Sequence, residues 1–308
     1  MKTAQQLLAT LAAVIILVFF SGALTNCETR KKSAQFHAET FEETLAKAEH
    51  GDAEAQWLIG WRYDNGLDVE KDAVEAVKWF RKSAEQGDKF AQYDLGVCYK
   101  NGHGVMKNEA EAVKWYRKAS EQGNIKAQFN LGVCYAKGEG VMKNEAEAVD
   151  LYRKAAENGH DGALFNLSLC YYNGQGVEKD VAEAVKWFRK SAEKGNAMAQ
   201  FNLGLLYHKG QGVEKDLTEA VKWFRVAAEQ GDVNAQYNLS VCYENGQGVM
   251  INDILAYQWN ILAHANGRDV AKDDLPSLEA KLTAEQRAEG QRLATEWQAA
   301  FEKRQAEQ

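Results

Sequence analysis

Residues 91–123 read AQYDLGVCYKNGHGVMKNEAEAVKWYRKASEQG, and residues 127–159 read AQFNLGVCYAKGEGVMKNEAEAVDLYRKAAENG. The second stretch is the first repeated after 36 residues, without an insertion. Outward from this pair the register holds in both directions. Gly51, Gly87, Gly123, Gly159, Gly195, Gly231 and Gly267 mark the boundaries of six units, 51–86, 87–122, 123–158, 159–194, 195–230 and 231–266. A period of this size marks stacked supersecondary units, each too small to bury its own apolar surface.

Within a unit the order of parts is constant: an A-helix such as 91–102, a Gly-x-Gly-Val turn, and a B-helix such as 183–195. Ala91, Ala127, Ala163, Ala199 and Ala235 open the A-helix. Gly96, Gly132 and Gly204 stand in its middle, with Ser168 and Ser240 as near-equivalents, and a missing side chain there lets a B-helix approach closely. Leu95 and Tyr99, with their equivalents, form an i, i+4 apolar stripe. Trp79, Trp115, Trp187, Trp223 and Trp259 supply large anchors from the B-helix, Leu151 replacing one. Asp72, Asn108, Asn144, Asp180, Asp216 and Asn252 are predicted N-caps. Three residues on stand Glu75, Glu111, Glu147, Glu183 and Glu219, which predicts capping boxes in five units. The boundary glycines are expected to be left-handed C-terminal caps. Unit one carries Gly66-Leu67-Asp68-Val69 instead of Gly-x-Gly-Val, which predicts a different turn there.

The pattern Ala-x-x-x-Leu-Gly-x-x-Tyr, then Gly-x-Gly-Val-x-x-Asp, then Ala-x-x-Trp-Phe-x-x-Ala-Ala-x-x-Gly resembles the Sel-1-like repeat, a relative of the tetratricopeptide repeat. The resemblance covers residues 51–266. It implies an all-α fold, an α-α right-handed superhelix of six helix-turn-helix repeats, working as a binding scaffold. Outside the repeats, 28–50 reads as a linker and an N-terminal capping helix. Residues 267–308 read as C-terminal caps; Asp274-Leu-Pro276 is expected to end the rhythm, and Thr283 and Gln286 form a capping box opening a helix to about Glu302.

The composition, 45% hydrophobic and 26% charged, is that of a globular chain. Its 37 basic and 44 acidic residues give a net charge of -7, the wrong sign for a nucleic-acid binder. A single proline in 308 residues favours long helical runs. Residues 7–24, LLATLAAVIILVFFSGAL, carry no charge and follow Lys2, as in a secretory signal or membrane anchor. Three readings stay open for 1–27: cleavage near Ser21-Gly22-Ala23, an uncleaved anchor, or a lipobox-like Leu24-Thr25-Asn26-Cys27 with Cys27 taking the lipid. Asn26 departs from the lipobox pattern, and Arg30, Lys31 and Lys32 favour the cytoplasmic side. Each reading puts the chain at or across a bacterial-type envelope, periplasmic or membrane-anchored through its N-terminus.

No catalytic set, metal site or cofactor fingerprint emerges. Cys98, Cys134, Cys170 and Cys242 share one repeat position. Equivalent positions in neighbouring repeats lie ~9–10 Å apart, too far for disulfides, which need about 7 Å or less. There is no CxxC, and the six histidines are scattered singly. Gly174-Gln-Gly176 follows a helix rather than a strand and lacks the third glycine of a nucleotide loop. Ser191-Ala-Glu-Lys194 matches the SxxK of penicillin-recognising enzymes but has no companion motif. His103 and His208 fall near A-helix ends, where they either face a groove or cap the surface.

Helical geometry, with Leu95 as the buried centre, puts Tyr93 on the far side of the A-helix and Asp94 on its flank. The resemblance implies that A-helices line the concave face. Two ladders then run along that groove: Trp57, Tyr93, Phe129, Phe165, Phe201 and Tyr237, and beside them Asp94, Asn130, Asn166, Asn202 and Asn238. Aromatic rings supply contact area at low entropy cost, and each amide both donates and accepts. The bland alternative is that the rings and amides tie helix to helix. Lys100, Ala136, Tyr172, His208 and Glu244 vary at one position, a place for partner specificity. The B-helix lysines, three residues after their glutamates, are expected to form i,i+3 pairs on a solvated convex face. The chain therefore reads as a non-enzymatic scaffold for a protein or peptide. The alternatives are an envelope penicillin-binding protein of the cysteine-rich Sel-1-like type and a self-assembling structural adaptor.

Overall fold

The computed structural model describes residues 39–307. The apolar N-terminal run and Cys27 lie outside the described residues. Among the described residues there are fifteen α-helices and no strand. A first compact unit ends at His160 and a second begins at Asp161. The first holds α1 (Phe41–Glu49), α2 (Ala53–Asn65), α3 (Ala73–Glu85), α4 (Lys89–Asn101), α5 (Glu109–Glu121), α6 (Ile125–Lys137) and α7 (Glu145–Glu157). The second holds α8 (Asp161–Asn173), α9 (Val181–Glu193), α10 (Ala197–Lys209), α11 (Leu217–Glu229), α12 (Val233–Asn245), α13 (Asp253–Ala265), α14 (Asp269–Ala280) and α15 (Ala284–Ala306). From α2 to α13, A- and B-helices alternate as six repeats of an α-α solenoid. No helix among the described residues is long and apolar enough to cross a membrane.

Most helices start where a short polar side chain takes over orphan backbone donors, whereas α14 begins at Arg268 with no side-chain cap bond. Asp88 accepts from the N–H groups of Phe90 and Ala91, and Asn196 accepts from Ala199. The B-helix caps also form, Asn108 accepting from Glu111 and Asp180 from Glu183. The predicted capping boxes do not close in these helices. The backbone N–H of Asp72 goes instead to the Tyr63 carbonyl, that of Asn108 to Tyr99, and that of Asp216 to Tyr207. With that donor already taken, the third-position glutamates turn to lysines one turn on: Glu75 to Lys78, Glu183 to Lys186 and Glu219 to Lys222. Among the described residues, reciprocal boxes form at Thr40 with Glu43 and at Thr283 with Gln286, in helices that lie outside the repeats.

The two glycines of the turn do different work. Gly102 ends α4 with φ 73°. Gly104, φ 66°, lies so close to the start of α3 that a Cβ there would sit 2.0 Å from the Ala73 carbonyl oxygen. The first repeat was expected to turn differently, yet Asp68 adopts φ 59° in the glycine's place. The hydrogen bonds are the same, Leu67 N–H to the Arg62 carbonyl and Asp72 N–H to that of Tyr63. Aspartate is among the few side chains that tolerate the left-handed region.

The core lies between the A- and B-helices of each repeat. A Cβ on Gly96 would come within 2.7 Å of the Tyr116 ring, and one on Gly204 within 2.7 Å of the Phe224 ring, so the missing side chain is what admits each ring. At the N-terminal end α1 covers Ile59 and Trp79, and Phe41 meets Tyr63 edge-on at 5.8 Å. At the other end α14 runs through Pro276 rather than stopping at it, the ring being exposed on the outer side. Trp297 of α15 meets Trp259 at 5.8 Å and stacks on Phe301 at 5.0 Å, closing the last B-helix.

Candidate functional site

The A-helix ladders are half-buried in both units, apart from Trp57, which is buried. In the first, Tyr93 packs against Tyr116 at 6.0 Å, and Phe129 lies 5.9 Å from Tyr152 and stacks on His160 at 4.3 Å. In the second, Phe165 packs on Phe188 at 6.1 Å and Phe201 on Phe224 at 6.0 Å. Each ring therefore spends one side on its own repeat's B-helix.

The polar ladder divides into two chemical types. Where the preceding aromatic carries a polar hydrogen, the rung is taken. The Trp57 indole N–H donates to Asp94 at 2.7 Å and Tyr237 donates to Asp274 at 2.9 Å, while Asn130 opposes the rise that burial imposes on the Tyr93 and Tyr116 hydroxyls. Burial pushes the Asp94 carboxyl up to about 7, against the opposing pull of the Trp57 hydrogen bond and of Lys126. Where the preceding aromatic is phenylalanine, the rung has no such donor. Asn202 and Asn238 bond their own helix, donating to the carbonyls of Met198 at 2.7 Å and Asn234 at 2.8 Å.

The variable position proposed for partner specificity is engaged inside the first unit. Asp64 meets His103 at 2.7 Å, and Lys100 pairs with Glu139. In the second, His208 bonds Gln247 at 2.9 Å and Glu244 pairs with Lys281 at 2.7 Å. Its variation follows that of a turn residue 39 positions on, or of Lys281. His103 is thus bonded to the preceding repeat and His208 to the following one.

Two inter-repeat devices went unread in the sequence. Buried Gln56, Gln92, Gln200 and Gln236 donate to the carbonyls of Ala48, Ala84, Ala192 and Ala228 in the preceding B-helix. The recurrence of Ala-Gln near the A-helix start in five of the six repeats, Leu164 standing in the fourth, was the available signal. Arg81, Arg117 and Arg225 donate to the hydroxyls of Tyr99, Tyr135 and Tyr243 in the following A-helix. The B-helix arginines are therefore not simply a solvated face.

Ser191 is 1% exposed and Lys194 pairs with Asp161 at 2.7 Å, so the SxxK match presents no accessible hydroxyl. Cys98, Cys134, Cys170 and Cys242 remain thiols, as their spacing required. Burial pushes Cys98 up to about 12 and Cys242 up to about 11.

The Sel1 repeat family model matches residues 53–88, 89–124, 125–160, 162–196, 197–232 and 233–267. The chain belongs to the Sel1 repeat proteins. The crystal structure of a protective antigen present in uropathogenic Escherichia coli strains, displaying an SLR fold, is similar at 36% identity and TM-score 0.76, over 84% of this chain. This chain spans 56% of that antigen's length. A Sel1 repeat protein from Oxalobacter formigenes is also 36% identical, with TM-score 0.62 over 77% of this chain and 98% of its own. No curated protein matches. Sel1 repeat proteins are generally protein-interaction scaffolds, and their solenoid fold is typically non-enzymatic.

Proposed function

We propose that this chain is an envelope scaffold that holds an extended protein segment along its A-helices. The observation that carries the reading is the state of Asn202 and Asn238: half-buried, held by one bond each to their own helix, with the amide oxygen given no partner by the described residues. Such oxygens accept peptide N–H groups at the spacing of successive rungs. Asn166 follows Phe129 in sequence as they follow Phe165 and Phe201, and Phe165, Phe201 and Tyr237 supply apolar contact beside them. In the first unit Tyr93, Asp94, Phe129 and Asn130 contribute surface and ring faces, Asp94 being already bonded to Trp57.

The N-terminal run then delivers the scaffold to the envelope, with Cys27 as the lipid acceptor. The test is site-directed photocrosslinking in membranes at position 202 against position 222 on the B-helix. Capture at 202 that is lost when Asn166 and Asn238 are both alanine supports the reading. Equal capture at 222 moves binding to the other face, and capture of the chain alone favours self-assembly. Labelled palmitate entering the wild type but not Cys27→Ser tests the anchor.

A further inference from the structure

The sixth repeat breaks its own pattern at one place. Phe80, Tyr116, Tyr152, Phe188 and Phe224 fill a single B-helix position with a buried ring, and Asn260 stands there in α13. Asn260 is 1% exposed and its Oδ1 has no hydrogen-bond partner. One turn on, at the position of Ala228 in the previous repeat, His264 Nδ1 is also buried and unpartnered. Arg268, the N-cap of α14, has an unpartnered buried Nε, and its guanidinium lies 5.4 Å from the centroid of the Tyr237 ring.

These groups share one neighbourhood. In the earlier repeats the A-helix ring stands about 6 Å from the B-helix ring, as with Tyr93 and Tyr116 at 6.0 Å and Phe201 and Phe224 at 6.0 Å. Tyr237 and Asn260 are the sixth repeat's occupants of those two positions. Arg268 takes the place by Tyr237 that His160 takes by Phe129. The Tyr237 ring is held by its hydroxyl, which donates to Asp274 at 2.9 Å.

The unpartnered atoms specify a ligand. Arg268 Nε–H needs an acceptor, Asn260 Oδ1 needs a donor, and the His264 tautomer with its proton on Nε2 would take a second donor at Nδ1. Arg268 and Asp274 carry opposite charges, so an anion would add a second negative charge beside Asp274. We propose that the sixth repeat holds a binding site for a primary carboxamide, the side chain of a partner's asparagine or glutamine. The carbonyl accepts from Arg268, one N–H donates to Asn260 and the other to His264, with the Tyr237 ring as a wall. A backbone amide has one N–H and leaves one of these groups unpaired. The site stands whether or not the asparagine ladder binds a peptide.

The test uses the full chain and three probes: propionamide, N-methylacetamide and propionate. The readout is the Nε–Hε resonance of Arg268, assigned by its loss in Arg268→Lys. Propionamide is expected to shift it saturably, with N-methylacetamide at least about tenfold weaker and propionate inactive. Asn260→Phe restores the ring of the other repeats. Buried Phe188 already shares its repeat with Ser168, the equivalent of Ser240, so this variant retains the fold and is expected to lose the propionamide response. No saturable response to propionamide, an equal response to N-methylacetamide or propionate, or an unchanged response in Asn260→Phe overturns the proposal.

Discussion

The indole Nε1 of Trp57 and the carboxylate Oδ2 of Asp94 are 37 residues apart in sequence and 2.7 Å apart in space, joining the first repeat to the second. Burial raises the Asp94 carboxyl to about 7, with Asp64 and Asp88 adding to the rise and Lys126 opposing it. The folded state therefore binds a proton that the unfolded state has lost. Its stabilising effect is complete below the ordinary carboxylate range and is lost as pH rises through about 7. Asp94→Asn puts the amide of the later repeats in this place and abolishes the dependence. Hydrogen exchange in α2 and α4, followed from pH 5 to 9 as a ratio of variant to wild type, is expected to show the variant better protected only at the alkaline end. An unchanged ratio across the range would falsify the assignment.

Gly104 and Gly123 both have positive φ, but only one lies against another helix. A Cβ on Gly123 meets nothing within 4 Å, whereas one on Gly104 meets the Ala73 carbonyl oxygen at 2.0 Å. Gly123→Ala is expected to cost about 1 kcal/mol, the ordinary left-handed penalty. Gly104→Ala adds a backbone clash and is expected to cost about 3 kcal/mol or more. Urea midpoints of the two variants measure the difference; equal midpoints would refute the stacking role of the second turn glycine.

Lys100 and Glu139 pair across neighbouring repeats, with Glu109 a further 3.8 Å contact of the lysine. Both side chains are partly exposed, so the coupling is expected at about 0.5–1 kcal/mol, smaller in high salt. Lys100→Glu alone should destabilise the first unit, and adding Glu139→Lys should recover most of the loss. A double-mutant cycle with no coupling energy would return the variable position to the list of partner contacts.

Cys98, Cys134 and Cys242 are buried and their thiols are raised by desolvation. Since the thiolate is the reactive form, iodoacetamide at pH 8 is expected to leave these three unmodified in the folded chain and to label them in guanidinium. Mass mapping reads the result directly, and rapid labelling of Cys98 without denaturant would show that the A-helix core opens locally.

Much of the architecture was legible because it is written in local chemistry. The period, the caps and the boundary glycines each depend on residues within a few positions of one another. The capping boxes failed because the Asp72 N–H is taken by the Tyr63 carbonyl across the turn of the same repeat, a bond that the capping pattern alone does not reveal. The turn of the first repeat was misread because Asp68 can enter the glycine's region. At the candidate site, the sequence placed Tyr93, Phe129, Phe165, Phe201 and Tyr237 in one ladder and Asp94 with four asparagines in another. It did not separate the rungs, since Asp94 and Asn202 differ in their partners only once folding sets Trp57, a donor, by one and leaves the other bonded to its own helix.

The sequence by itself determined a Sel1-type array of six helical pairs, because spacing, capping and turn preferences act over short stretches and recur without interruption. Only the tertiary structure decided which polar groups on the A-helices are spent inside the stack and which are left for a partner. A hydrogen bond depends on distances of about 3 Å between groups that folding brings together from different repeats. Asp94 was consumed in that way. Asn202, Asn238 and Asn260 kept an acceptor that the described residues do not fill.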